Sequence, residues 1–549
     1  MEETRRLIPG YWKIVPALAA VALLSILPAQ ATVLDVPSDP YPTIQAGLDA
    51  AQPGDTVLVA AGTYHGEGNS NLEFGGKDIV LLSESGAEQT VIEPEGRGFT
   101  FYESGETSAA VIDGFTVRYG YGQEGGGMLC EDASPTVRDC VFEMCSAYNR
   151  GGGIKVRTEV PMEITGCTVR NCWAGGWDQD TGYGGGLYLW GPVTLKECRI
   201  AGNHVQSSSY PGEGGGAYMF GPGGSLTDCV IENNSVDVPE WDFFGRGGGI
   251  AGNPDTIVRC RITGNYGGGE GGGLLISHAE IVECLIAGNL ARNRGAGIAS
   301  NGGDVTIRSS TIASNLTTGG DEDRVGGGVW VGDGGAVHVV RSILWGNCAE
   351  AGGDQISASG FLASAHFYCS AVDTAGVAGE AVYGQGNIFV DPLFCDPGPC
   401  DEAPTLAGDF TLSSDSPCLP GNHPDGFQEC GLVGSLPVGC PVTGLPEGPR
   451  DDRSAAISLE IPNPFRSGSK LTVTVVPRRE ERSEMLSLRI HDASGRAVRS
   501  LYRGELPSGP RSFTWEGTDD RGRPVAAGIY FVRADFAGRT EGRSFLLVP

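Results

Sequence analysis

The chain has 549 residues, a formal net charge of -29 and 88 glycines. The glycines cluster in triplets without a Gly-X-Y period, which excludes collagen and marks them as turn punctuation. From Asp451 onward 16 Lys plus Arg face 13 Asp plus Glu, so the tail carries +3 and the first 450 residues carry -32, a balance that argues against a nucleic-acid partner.

Arg5, Arg6 and Lys13 precede an apolar run from Ile14 to Leu27, and Ala29-Gln30-Ala31 supplies the small residues that a signal peptidase reads. Residues 1–31 are therefore expected to be a signal peptide, and the mature protein is expected to be secreted or at the cell surface. No later segment approaches twenty apolar residues, so no transmembrane span is expected in the mature form. Thr43 as N-cap, apolar residues at i, i+4 and i+7, and a Pro53-Gly54 stop predict a helix over about 43–52. Thr56 to Ala60, Asp78 to Ser83 and Thr90 to Glu93 alternate as short strands, whose open first edge the helix would cover.

A repeat then takes over. Glycine triplets begin at Gly125, Gly151, Gly184, Gly214, Gly247, Gly271 and Gly326, with a degenerate copy at Gly295. Each is followed 13 to 16 residues later by Cys140, Cys167, Cys198, Cys229, Cys260, Cys284, Ser310 or Ser342, and five residues further on by Cys145, Cys172, Asn203, Asn234, Asn265, Asn289, Asn315 or Asn347. A period of 24 to 32 residues is a solenoid signature. Each coil is too short for a crossover helix, so parallel strands must pair coil on coil in an all-β fold, a parallel β-helix. Equivalent positions then stack about 4.8 Å apart, a little wide for a relaxed disulfide. The six cysteines at the first position are read as a buried column of free thiols, and the asparagines as a hydrogen-bonded ladder at a bend. Cys145 and Cys172 replace its first rungs and are open to pairing with each other or with Cys130.

Gly353 to Val390 loses the pattern, as terminal coils would. Cys395, Cys400, Cys418, Cys430 and Cys440 follow among Pro, Gly and Asp in a closing segment, 395–440, where disulfides are expected, a short Cys395–Cys400 link among them; zinc is the other reading. Residues 441–453 are a Pro/Gly/charge-rich linker, and 454–549 alternate like the strands of a small β-sandwich.

Two resemblances accompany these patterns. TIQAGLDAAQPGDTVLVAAGTY, GKDIVLLSESGAEQTVI and VIDGFTV resemble the opening of bacterial right-handed parallel β-helix proteins of the pectin-lyase-like superfamily, and the glycine triplets with I-x-x-N are similar to the repeats of polymorphic outer-membrane proteins, over about 32–394. Asn463-Pro464-Phe465, Asp492 with Gly495-Arg496, Trp515-Glu516-Gly517 and Gly528-Ile529-Tyr530 resemble the Ig-like carboxy-terminal domains of the hook-capping (FlgD-like) and type IX sorting families. The second resemblance implies outer-membrane secretion machinery as a partner; Arg539 and Arg543 stand where many relatives carry lysines.

Length variation concentrates in three loops on consecutive coils, Trp173 to Tyr183, His204 to Glu213 and Ser235 to Arg246. Aromatic rings stack on sugar faces, and carboxylates accept hydroxyl hydrogen bonds or hold calcium. Trp173, Trp177, Tyr183, Tyr210, Trp241 and Phe243 are the candidate glycan contacts for a polysaccharide or cell-surface glycan. Asp178, Asp180 and Glu213 are the candidate calcium ligands. No stretch matches a lyase active-site motif, and no catalytic residue is assigned. An adhesin-like or glycan-contacting protein is the leading expectation. The alternatives are a polysaccharide lyase or hydrolase and a passive surface stalk.

Overall fold

The computed structural model describes residues 31–175, 182–206, 212–237, 245–318 and 325–440, and in the tail 457–460, 465–466, 471–477, 484–492, 497–506, 511–525, 528–536 and 539–548. The expected signal segment up to residue 30 lies outside them.

The chain winds into a parallel β-solenoid of about 13 turns, and each full coil has four faces. Face one follows the glycine triplet and stacks eleven strands from Phe99–Tyr102 to Val377–Gly379; face two stacks fourteen, from Val33–Val36 to Ala381–Tyr383. Face three, between the cysteine and asparagine positions, holds twelve strands from Gly62–His65 to Ala371–Val372, and face four holds nine short ones from Tyr121–Glu124 to Cys348–Ala349. Pairing is parallel and in register from coil to coil, as in Leu187↔Ala217 and Ile200↔Ile231. The alternating Ile, Val and Leu of these strands interdigitate in one continuous core running from Leu34 to Val372. Gly353 to Val390 carries on the coiling despite its lost pattern, with Ile356–Ala358 and Ser364–Tyr368 pairing on the coil before.

The two repeat columns sit at corners. The residue before the cysteine position is left-handed even where it is not glycine, as at Glu197 (φ 53), Arg259 (φ 49) and Arg341 (φ 50), a conformation costing about 1–2 kcal/mol. The column residue holds the bend by bonding to the carbonyl two residues back: Cys198 Sγ to Lys196 O at 3.3 Å, Ser342 Oγ to Val340 O at 2.9 Å. All six cysteines of the column are buried free thiols, as are Cys130, Cys145 and Cys172.

At the next corner each asparagine is saturated. Asn234 Nδ2 donates to Asn265 Oδ1 (3.0 Å) and to Ile200 O (2.9 Å), while its Oδ1 accepts from the Asn203 backbone N–H and Nδ2. The ladder runs from Asn203 to Asn347, where Gln355 Oε1 accepts from Asn347 Nδ2 at 2.8 Å. From Gly186 onward the third glycine of each triplet packs against it, as Gly127 and Gly153 pack against Cys145 and Cys172: a Cβ on Gly249 would stand 2.5 Å from Gly273 O and 3.2 Å from Asn265 Cγ. Triplet and asparagine recur together because they touch.

The amino-terminal helix Ile44–Ala50 is capped by Thr43, whose hydroxyl accepts from Ala46 N–H at 3.3 Å, and it buries Ile44 and Leu48. Lys77 Nζ donates to its last carbonyls, Leu48 O (2.6 Å) and Ala51 O (3.0 Å), satisfying groups a helix end leaves orphaned.

The cysteine-rich segment is a strap. The expected Cys395–Cys400 link is absent; the disulfides are Cys348–Cys400, Cys369–Cys430 and Cys395–Cys440. Two of the three partner a solenoid cysteine, because the strap folds back over face three, where outward residues turn apolar: Phe410 packs on Leu285, Ala287 and Ala313, and Val433 on Ile343 and Ala371. Cys418 stays a free buried thiol, pushed up to about 12 by burial.

The described tail forms a three-stranded and a five-stranded sheet around Leu471, Leu486, Leu488, Ile490, Trp515, Tyr530 and Val532. Trp515 Nε1 donates to Thr518 O at 2.7 Å.

Candidate functional site

The long loops leave the coil at one rim, between face four and face one. Each loop ends on a residue that re-enters register just before its triplet: Arg150, Tyr183, Glu213, Arg246, Glu270, Arg294 and Val325 bridge one to the next. Glu124 starts the row, paired with Arg150 at 3.2 Å. Arg246 lies between Glu213 (3.6 Å) and Glu270 (3.7 Å), and Arg294 stands 3.7 Å from the other oxygen of Glu270. Burial raises the Glu213 carboxyl above its usual range, against the pull of Arg246.

Of the sequence-derived glycan contacts, Trp177, Tyr210, Trp241 and Phe243 lie outside the described residues, as do Asp178 and Asp180. Of the rest, Trp173 lies apart from Tyr183 and Glu213, which bridge each other at the rim. Trp173 stands on face four between Ser146 and His204. Tyr183 sits at the rim, edge-on to Tyr218 at 5.0 Å. Glu213 faces Arg246, a pairing that a calcium ligand would have to break. Among the described residues no three His, Cys, Asp or Glu side chains are grouped to hold a metal ion.

His204, beside Trp173, has Nδ1 2.9 Å from Ser235 Oγ and 3.8 Å from Asp237 Oδ2. Ser, His and Asp thus meet at one nitrogen, whereas a catalytic triad needs the nucleophile and the orienting acid on opposite nitrogens of the histidine base. Burial lowers the His204 pKa, against the opposing charge of Asp237.

Both faces flanking the rim carry aromatics that the loop comparison missed. On face one, Tyr188 and Tyr218 occupy the same position of successive coils and stack at 5.4 Å, with Trp190 and Phe220 paired two residues on. Their faces are partly used: Arg150 lies over Tyr188 (5.3 Å) and Arg157 over Trp190 (5.5 Å). Tyr121 and Tyr148 on face four, and Tyr119 at the left-handed corner before it (φ 63), are 57%, 56% and 54% exposed. Tyr121, Ser146 and Trp173 are in register. Tyr148 is two residues from that row on the Ser146 strand, a β-surface diagonal of roughly 7–8 Å from both Tyr121 and Trp173. The signal was present in the sequence: LYLW and AYMF repeat an aromatic pattern at fixed distance from the triplet.

A coil-on-coil parallel sheet with one continuous core defines the class, a parallel β-helix. Residues 97–370 match the family model of the right handed beta helix region and residues 463–538 that of the FlgD Ig-like domain. The chain is a right-handed parallel β-helix protein with a FlgD Ig-like domain toward its carboxy terminus. No curated protein matches it. Among solved structures it is similar to PorZ, described as an essential bacterial surface component of the type-IX secretion system of Porphyromonas gingivalis, at 23% identity and a TM-score of 0.13. That match covers 17% of this chain and 11% of that one. No helix among the described residues is long and apolar enough to cross a membrane.

Proposed function

We propose that this is a secreted or surface-associated β-helix protein whose face-four rim contacts glycans. The carrying observation is the exposed cluster of Tyr119, Tyr121 and Tyr148, more than half accessible each, next to Trp173. Apolar ring faces held in solvent at fixed spacing are a cost that a sugar-stacking surface repays. The -32 carried by the first 450 residues favours neutral glycans over polyanions. Binding to a glycan array and to immobilised polysaccharide tests the reading. A Tyr121→Ala/Tyr148→Ala double variant should lose at least about tenfold in affinity for the glycan the parent binds. Phe361→Ala, at an exposed aromatic on a terminal coil, should lose none. Equal retention of the double variant and the parent would refute the site.

The Ig-like tail is assigned, on its resemblance, to delivery by outer-membrane secretion machinery. Deleting residues 457–549 should abolish surface display, and undiminished display would refute that role.

A further inference from the structure

Seven histidines are spread over the 549 residues, and two of them meet. Val-His-Val at 337–339 and Ala-His-Phe at 365–367 are the centres of adjacent face-two strands, with His338 in register with His366. Their neighbours Val337, Val339, Ala365 and Phe367 point into the core, so both imidazoles stand on the outer surface, half-buried. In the coils before, the same outward position holds Thr194, Ser225, Thr256, Glu280 and Thr306. The two rings lie 4.9 Å apart between centroids with planes inclined at 24°. His366 Nε2 is 3.0 Å from Ser364 Oγ.

We propose that His338 and His366 form a two-imidazole site for a divalent transition-metal cation, Cu2+ in preference to Ni2+ or Zn2+. Imidazole nitrogen is a good ligand for all three, and affinity at such a site peaks at copper. Metal–nitrogen bonds of about 2.0–2.1 Å at the roughly 90° cis angle of tetragonal copper need donor nitrogens about 2.9 Å apart. From ring centroids 4.9 Å apart, the donor nitrogens are brought to that distance by rotation of the two partly exposed rings about their side-chain bonds, a movement the proposal requires. The strands need not move, because parallel pairing already holds the two side chains on one side, one strand spacing apart. Water and the Ser364 hydroxyl are available to complete the shell. The site lies on a different face from the tyrosine cluster, so it stands or falls independently of glycan binding.

The test is calorimetric titration of the full, untagged chain with CuCl2, NiCl2 and ZnCl2 at pH 7.5, with Cu2+ electron paramagnetic resonance to count nitrogen donors. One Cu2+ per chain is expected at this site, with two nitrogen donors. His338→Ala and His366→Gln should each weaken that binding at least tenfold and leave one nitrogen, whereas His278→Ala should change nothing. Circular dichroism of each variant checks that the coil is intact, as expected for outward positions. The proposal is overturned if the parent takes up no Cu2+, or if either variant binds it with unchanged affinity and donor count.

Discussion

Replacing Asn265 by alanine is the sharpest probe of what holds the coils together. The Asn265 amide is fully buried and makes four bonds: Nδ2 donates to Ile231 O and Asn289 Oδ1, and Oδ1 accepts from the backbone N–H and Nδ2 of Asn234, all at 3.0 Å. Alanine orphans the Asn234 N–H and removes one of the two acceptors of its Nδ2, and it deprives Ile231 O of a donor. At about 1–3 kcal/mol for each buried group left unsatisfied, the loss is about 3 kcal/mol. Asn265→Cys should cost about half as much. At rung Cys172 the thiol bonds to Phe142 O at 3.5 Å, the counterpart of the bond from Asn265 Nδ2 to Ile231 O, so a cysteine keeps that contact. Urea unfolding followed by circular dichroism gives the stability difference, and amide exchange at Asn234 localises it. A difference below about 0.5 kcal/mol for Asn265→Ala, with unchanged protection at Asn234, would refute the claim that the ladder is a saturated, stabilising network.

Other consequences can be checked with the same material. Gly249→Ala forces a Cβ to within 2.5 Å of Gly273 O and should cost more than about 2 kcal/mol, whereas Gly346→Ala (φ 67), with open space around it, should cost only about 1 kcal/mol of backbone strain; equal costs would mean that triplet stacking is not tight. Ten cysteines are buried free thiols, and burial pushes Cys130 up to about 12, so a maleimide should label none in the native protein and all ten after unfolding without reductant; native labelling of any column thiol would contradict the burial. The disulfides enclose 45 to 61 residues, and chain entropy puts each at about 4 kcal/mol; Cys369→Ser should loosen the strap over face three, read as faster proteolysis between residues 405 and 437. Backbone N–H donation from Thr32 and Gln52 lowers the Asp55 pKa. A folded value below the unfolded one means that the contribution is present above the unfolded carboxylate value, about 3.9, and is lost as pH falls through the folded value. Asp55→Asn should flatten that acid limb, seen as exchange at Thr32 and Gln52.

Much of this architecture could be read in the residues because it depends on periodic, local chemistry. A one-residue corner that needs a left-handed backbone, a small side chain to tie it and an inward aliphatic after it writes the same letters in every coil, so both columns emerge from spacing alone. The helix over 44–50 was legible for a similar reason, since Thr43 and Pro53-Gly54 are short-range signals. What the residues did not reveal is long-range. Cys348 follows the ladder residue Asn347 and looks like part of the repeat, and only the fold of the strap brings it to Cys400. The tyrosine cluster was hidden because Tyr119, Tyr121 and Tyr148 lie in or beside the short face-four strands, where attention to loop length does not look. Glu213 is a further case: its place in a loop suggested a calcium ligand, and the charge that the rim sets 3.6 Å from it, Arg246, comes from the next coil.

The rim also explains why variation is confined to one edge. At the corner before face three the cysteine column fixes the turn, and at the corner after it the asparagine ladder does, so an inserted residue would break side-chain bonds to one neighbouring coil at the first and to two at the second. Among the described residues the step from face four to face one carries no such column. It is closed by the residue preceding each triplet, and the alternation of Glu124, Arg150, Glu213, Arg246, Glu270 and Arg294 lets every re-entry find an opposite charge from an adjacent coil where one is available. A loop of any length can be added before that point, because its last residue still pairs in register and the glycines behind it stack backbone on backbone. Chemistry that changes with ligand can therefore accumulate beside Trp173 and the exposed tyrosines without disturbing a single core position.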